Sequence, residues 1–258
     1  MTGTCGLPSQ SGNCGSTPTL QHRVIATKKY FIPPNSVQKA GDIPLGAVWT
    51  ATDAPPPPQL EAQLDTGDDR MQQVMFANGE IFGALGTALN VNKTVKSGIE
   101  YFGVMPRFTK AGALRTSLAL QGYLGNSSDD LFYPAIAVNS FSEVLVGFNV
   151  NGPDYYPSTG WFAISGIPVS ANLHMLAIGM DPEDGFSGYP DPTNGITGGV
   201  ARWGDYTAAA VDPNGNFWLS GEYIPFACGD AVYNSDYTCG GHREQFSNWG
   251  TGIVQIIP

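Results

Sequence analysis

Arg202, Trp203, Gly204, Asp205 and Tyr206 stand consecutively, and Asp212 and Glu222 follow within twenty residues of Arg202. A guanidinium, a carboxylate and a phenol gathered around a glycine bind a sugar or polarise an ester. Equally, Arg202 and Asp205 pair and pin one structural unit to the next, with Trp203 as core, since ion-pair networks form such clusters too. Glycoside hydrolysis needs two carboxyls about 5–5.5 Å apart for retention or about 6.5–9.5 Å for inversion. Asp205, Asp212 and Glu222 are the acid/base candidates, although Asp212 opens Asp-Pro-Asn-Gly, where a turn itself wants Asp. The catalytic set for a hydrolytic reading is therefore Asp205 and Glu222, with Arg202 and Tyr206.

Rings in polar, Gly/Pro/Asp-rich segments form a second constellation. Tyr155, Tyr156 and Trp161, with Trp203 beside the charged residues, are the candidate ligand-binding aromatics, because flat rings in polar loops hold carbohydrates and peptides. The competing reading places Trp203, Trp218 and Trp249, which lie in strand-like segments, in the protein interior. Acidic loops at Asp181–Gly185 and Asp191–Gly195, and the cluster Asp65, Asp68, Asp69 and Arg70, offer oxygens of the kind calcium prefers. None fits the D-x-[DN]-x-[DN]-G calcium pattern, so no metal ligands are assigned and each reads first as a solvated turn. Asp68 and Arg70 are expected to pair. His22, His174 and His242 have no zinc-site spacing, and neither G-x-S-x-G nor a phosphate loop occurs.

The scaffold that must position these residues is rich in turns. Gly (33) and Pro (20) make up about a fifth of the 258 residues, against roughly 12% in average usage. Charged residues are 13%, about half the usual share. With 13 Phe, 11 Tyr and 5 Trp, the composition excludes helix bundles and disordered acidic chains and leaves a strand-rich protein. The net charge of −10 and cations spread along the sequence argue against nucleic acid and against anionic membranes. No apolar run approaches the ~18–20 residues that span a bilayer.

Cys5 and Cys14 bracket one polar loop and Cys228 and Cys239 another. Neither spacing is that of a zinc ribbon, so two local disulfides in an oxidising compartment are expected, although four cysteines allow three pairings. The start Met1–Leu20 has no basic, apolar leader. A secreted or extracytoplasmic protein whose signal is already removed fits both observations.

Three segments repeat one pattern of strand, Asn or Asp turn, strand: Val74–Leu85 around Asn78, Ala135–Phe148 around Asn139, and Ala209–Trp218 around Asp212. The turn residues are 61 and 73 positions apart. Four short strands fit between such markers, which is the arithmetic of propeller blades. The expected organisation is a Gly/Ser-rich arm over 1–19 followed by an all-β propeller over 20–258. That propeller has about four to five blades or is a piece of a larger ring, a β-sandwich being the competing architecture. An open propeller exposes sheet edges and would associate with copies of itself.

Several blocks resemble secreted bacterial, sialidase-like β-propeller proteins. They are Leu64-Asp-Thr-Gly-Asp-Asp-Arg-Met71 with Phe76–Phe82, Tyr133–Asn139 with Val146–Phe148 and Tyr156–Ser158, and above all Arg202–Tyr206, Val211-Asp-Pro213, Phe217-Trp218, Glu222-Tyr223 and Trp249–Ile253. The resemblance implies a propeller, with further blades upstream in many members. A sialidase centre needs three arginines on a carboxylate, a Tyr/Glu pair and an Asp. The six arginines here do not yield that set, so sialidase activity is not carried over. The expectation is an extracellular propeller that recognises a glycan, peptide or cell-surface ligand without turnover. The alternative is a glycosidic or ester hydrolase using Asp205, Glu222 and Arg202, with calcium as a compatible aid.

Overall fold

A computed structural model describes residues 20–45, 61–164, 173–184, 200–244 and 247–258. The arm 1–19 with Cys5 and Cys14, the Pro55–Pro58 run and the Asp191–Gly195 loop lie outside these residues. The chain is all-β. Three antiparallel sheets follow one another: sheet I joins β2 (Gln73–Ala77), β3 (Glu80–Val91), β4 (Thr94–Phe108) and β5 (Leu114–Leu124). Sheet II joins β6 (Asp130–Val138), β7 (Val144–Asn151), β8 (Tyr156–Ala163) and β9 (His174–Gly179). Sheet III joins β11 (Ala208–Val211), β12 (Phe217–Tyr223) and β13 (Gly250–Ile256). A parallel pair, β1 (Gln63–Leu64) with β10 (Val200–Ala201), completes the strands among the described residues, and a short helix, α1 (Asp230–Ser235), precedes β13.

Sheet II lies between the other two, and its strand alternation shows it. Ile136, Val138, Val146, Phe148 and Val150 share a cluster with Phe82, Ala84 and Ile99 of sheet I. Their sequence neighbours Ala135, Ala137 and Leu145 pack instead with Ala209, Phe217 and Leu219 of sheet III. Because successive side chains of a strand point to opposite faces, a strand apolar at every position is one covered on both sides. Every residue of β6 and β7 is buried. Parts of sheets I and III are covered on one face only, which leaves Phe76 of β2 and Ile253 of β13 exposed, whereas Phe82–Thr87 of β3 are buried on both faces.

The three repeated segments are the hairpins β2–β3, β6–β7 and β11–β12. Asn78 and Gly79 both take positive φ, 52° and 81°, the two-residue geometry that follows the twist of paired strands. Asn139 Oδ1 accepts from the amides of Phe141 and Glu143, and Asp212 Oδ1 from those of Asn214 and Asn216. The turns also meet. Asn78 Nδ2 donates to the Asn139 carbonyl at 2.9 Å, and Asn139 Nδ2 to the Gly215 carbonyl at 3.2 Å.

Residues 20–33 form an extended strap along sheet I. The Gln21 side-chain amide pairs with the backbone of Gly112 in the β4–β5 loop and of Leu114 on β5, which among the described residues has no strand on its other side. Farther on, Phe31 bonds Thr87 and Ala88 of β3. The strap thus occupies part of a free sheet edge, which unprotected invites pairing with other chains. The cations, spread along the sequence, are not spread in space: eight of the twelve lie on sheet I, its connecting turns and this strap.

Cys228 and Cys239 form a disulfide around α1, a bond that persists in oxidising, extracytoplasmic surroundings. Among the described residues no helix is long and apolar enough to cross a membrane.

Candidate functional site

The β1–β10 pair brings together two segments more than 130 residues apart. Gln63 and Leu64 register with Val200 and Ala201, and Asp65 N–H donates to the Ala201 carbonyl at 2.8 Å. The segments that continue from these strands, 65–72 and 202–206, therefore emerge side by side. Between them opens a cleft of about 600 Å3, whose lining includes Asp65, Asp68, Arg70, Tyr133, Arg202, Asp205 and Tyr206.

Each wall is fixed locally. Asp65 Oδ1 accepts from the Gly67 amide at 2.8 Å, making a tight turn. Gly67 has φ +76°, and the Tyr133 ring fills the space that a side chain there would need. Arg70 and Asp68 form the expected pair, Nε to Oδ2 at 2.6 Å, at the solvent side. Tyr133 is the floor. It is buried, has φ +51° and sits in the β6 bulge between Phe132 and Ala135, a feature that re-aims a side chain out of a strand's alternation. Burial, with the nearby Asp65 carboxylate, pushes its phenol well above the ordinary tyrosine range, while Arg202 opposes the shift. Tyr133 keeps its proton and presents a hydrogen-bond donor to the cleft.

On the opposite wall, Arg202 pairs with Asp205 while Trp203 between them turns inward. Trp203 is buried against Phe132 in a T-shaped contact, centroids 6.2 Å apart, with Leu64 and Ile224 beside it. It anchors the loop in the core and is not an exposed platform for a ligand. Gly204 takes φ +70°. Its carbonyl accepts from Asn149 Nδ2 at 2.5 Å and its amide donates to Glu222 Oε2 at 3.1 Å. Tyr206 is exposed at the rim.

Of the proposed catalytic set, the structure brings Arg202, Asp205 and Tyr206 to one cleft but not Glu222. Glu222 does not line it and is spent on the Gly204 amide; burial raises its carboxyl above the usual range, and that amide opposes the rise. Asp212 opens the β11–β12 turn and does not line the cleft. Donors on its carboxylate, the Asn216 side chain foremost, hold its pKa at about 2. Tyr155 packs against the interface of sheets I and II. Tyr156 donates its hydroxyl to the Ala40 carbonyl at 2.9 Å beneath the Lys39 ammonium, and Trp161 stacks on His174 at 4.2 Å. None of these three rings lines the cleft.

The acidic turn at Asp181 is not solvated, contrary to its reading as an exposed loop. Asp181 is buried and accepts from the amides of Asp42 and Cys228. Asp184 is buried in an ion pair with Arg243 at 3.1 Å. Among the described residues no group of three or more His, Cys, Asp or Glu side chains could hold a metal ion, so no calcium ligand set is drawn from Asp181 or Asp184.

The sequence reading did not place Asp65, Arg70 or Tyr133 beside Arg202. The one available signal was that two of the blocks sharing the resemblance, 64–71 and 202–206, each end a strand with a Gly-Asp pair. No protein-family model matches the chain, and no curated protein matches it in sequence.

Proposed function

We propose that sheets I to III are consecutive blades of a propeller, and that the cleft between 65–72 and 202–206 binds a glycan or peptide outside the cell without turning it over. The blade reading rests on the equivalent turns at Asn78, Asn139 and Asp212, which occur once per sheet and are hydrogen-bonded in series. The binding reading rests on one observation above the others: Glu222, the expected partner of Asp205 in a hydrolytic pair, lies outside the cleft lining and accepts from the Gly204 amide. The cleft keeps donors and acceptors of both signs, Arg70 with Asp68 and Arg202 with Asp205, over a protonated phenol. Such a rim suits hydroxyl-rich or amide-rich ligands, which need donors and acceptors in alternation.

The test sets the wild type beside Asp205→Asn in two assays, binding to a printed panel of glycans and peptides and hydrolysis of aryl glycosides and esters. The reading expects panel binding by the wild type, at least tenfold weaker for the folded variant, and no turnover by either. Hydrolysis by the wild type that disappears in folded Asp205→Asn would establish the hydrolase alternative instead.

A further inference from the structure

The net charge of −10 hides a segregation. Residues 20–34 and 73–124, the strap and sheet I, carry eight of the twelve cations and two of the 22 acids. Their net charge is +6, which leaves −16 for the rest. The cations concentrate at the β4–β5 tip. Arg107 and Arg115 are direct cross-strand partners there, Lys110 is in the connecting loop, and Arg23 of the strap donates Nε to the Leu114 carbonyl at 2.9 Å. Like charges directly opposite one another destabilise an antiparallel pair. No acid relieves them: the ion pairs among the described residues are Arg70–Asp68, Arg202–Asp205 and Arg243–Asp184. Of the two acids in this part, Glu100 is fully buried with Gln121 on its Oε1, and Glu80 makes no ion pair.

Arg107 and Arg115 line a shallow pocket of about 280 Å3 with Met105, Thr116 and Ser117. The Arg107 guanidinium lies on the Met105 sulfur, Nη2 at 2.9 Å, which holds one fork of donors in place. Register places this site away from the cleft. Gln73, next to the cleft, aligns through Ala84 with Tyr101, and Arg107 is six positions farther along β4, about 20 Å at the rise of a strand.

We propose that the β4–β5 tip binds an acidic glycan, with Arg107 and Arg115 gripping one carboxylate or sulfate and Lys110 and Arg23 attracting the next. Paired guanidinium forks match the oxygens of a carboxylate or sulfate, and the hydroxyl of Ser117, on the same face as Arg115, suits the sugar that carries one. The pocket has no aromatic ring on which a base could stack. Exposed Phe108 follows Arg107 in β4 and so faces the opposite side of the hairpin, which keeps cations and ring from sharing one bilayer surface.

The experiment titrates the whole chain, at 20 and 150 mM NaCl, with oligogalacturonate, dextran sulfate, neutral dextran, poly-dT and phosphatidylserine vesicles. The expected result is binding of one or both charged glycans at least tenfold tighter than neutral dextran and weakened by salt. Oligogalacturonate alone identifies a carboxylate ligand, and dextran sulfate alone a sulfate ligand. Arg107→Gln/Arg115→Gln loses that binding at least tenfold. Arg115→Glu, which converts the repulsive pair into an ion pair, raises Tm at low salt and also abolishes binding. Retention of glycan binding by these folded variants, tighter binding of poly-dT or vesicles than of either glycan, or no binding of any probe overturns the proposal.

Discussion

The Asn78 side-chain amide reaches the Asn139 backbone carbonyl at 2.9 Å across 61 residues of chain, so two turns that look alike in sequence are partners in space. Asn139 continues the series to Gly215, over which the Phe141 ring also lies. The hairpin ends of the three sheets are therefore tied to one another independently of the apolar layers between the sheets.

Removing the middle link tests this tie. Asn139 is buried and its side chain caps its own turn besides bonding Gly215. Asn139→Ala is expected to cost about 2–3 kcal/mol, from lost bonds and buried groups left unpaired. Asn78→Gly keeps the positive φ and removes only the side-chain bonds, so it should cost about 1 kcal/mol or less. Urea denaturation of each variant measures both.

Gly204 is predicted to tolerate no side chain. Its φ is +70° and the Asn149 amide occupies the space where a Cβ would project. Gly204→Ala should cost about 1–3 kcal/mol in backbone strain and weaken ligand binding by moving Arg202 and Asp205. Glu222→Gln preserves an acceptor for the Gly204 amide, so its Tm should stay close to that of the wild type. Differential scanning fluorimetry with binding titrations separates the two.

The Arg243–Asp184 pair is buried on both sides, where breaking one partner costs more than removing both. Arg243→Met alone is expected to destabilise by about 3–5 kcal/mol, and Arg243→Met with Asp184→Leu to recover most of that loss. A double-mutant cycle by chemical denaturation gives the answer.

Asp181 should leave a mark on the pH dependence of stability. Burial pushes its carboxyl from 3.8 up to about 7, opposed by the Cys228 and Asp42 amides. The folded state then holds a proton that the unfolded chain releases near pH 4. Asp181's contribution is complete below about pH 4 and is lost as pH rises through about 7, by roughly 4 kcal/mol at most. Asp181→Asn removes this dependence while leaving one of the two amides without an acceptor. Its Tm should lie below the wild type's at pH 4 and gain on it steadily up to pH 8, as thermal melts across that range would show.

Reduction of Cys228–Cys239 is expected to cost about 2–3 kcal/mol through the freed loop. A lower Tm in dithiothreitol, absent from a Cys228→Ser/Cys239→Ser variant, is the measurement.

What was legible in the sequence was local. Asn78-Gly79, Asn139 and Asp212 announce hairpins because their side chains and φ preferences act within four residues. The Asp68–Arg70 and Arg202–Asp205 pairs and the Cys228–Cys239 loop are readable for the same reason. Burial at long range was not legible. Asp181 and Asp184 sit in a Pro/Asp/Gly turn that looks solvated, and it takes Arg243 and the amides of Asp42, Leu45 and Cys228 to make their burial tolerable. Glu222 looks like half of a catalytic pair until Gly204, 18 residues away, takes it. The clustering of cations required knowing that the strap lies along sheet I, since residues 20–34 and 73–124 are separated by acidic sequence.

The two-residue pairing of β1 with β10 bears on how the protein comes to its final shape. Sheets I, II and III are built from strands that are neighbours in sequence, the longest connection being the one into β13, and such contacts close small loops. Gln63 and Val200, by contrast, must find each other across 137 positions for only two register pairs. Closing so long a loop for so few bonds is unfavourable until the intervening sheets have shortened the distance. The walls of the cleft are thus expected to meet only after the three sheets have formed. The cleft is then a product of the last step of folding, and a chain arrested one step short would keep its sheets while lacking the cleft altogether.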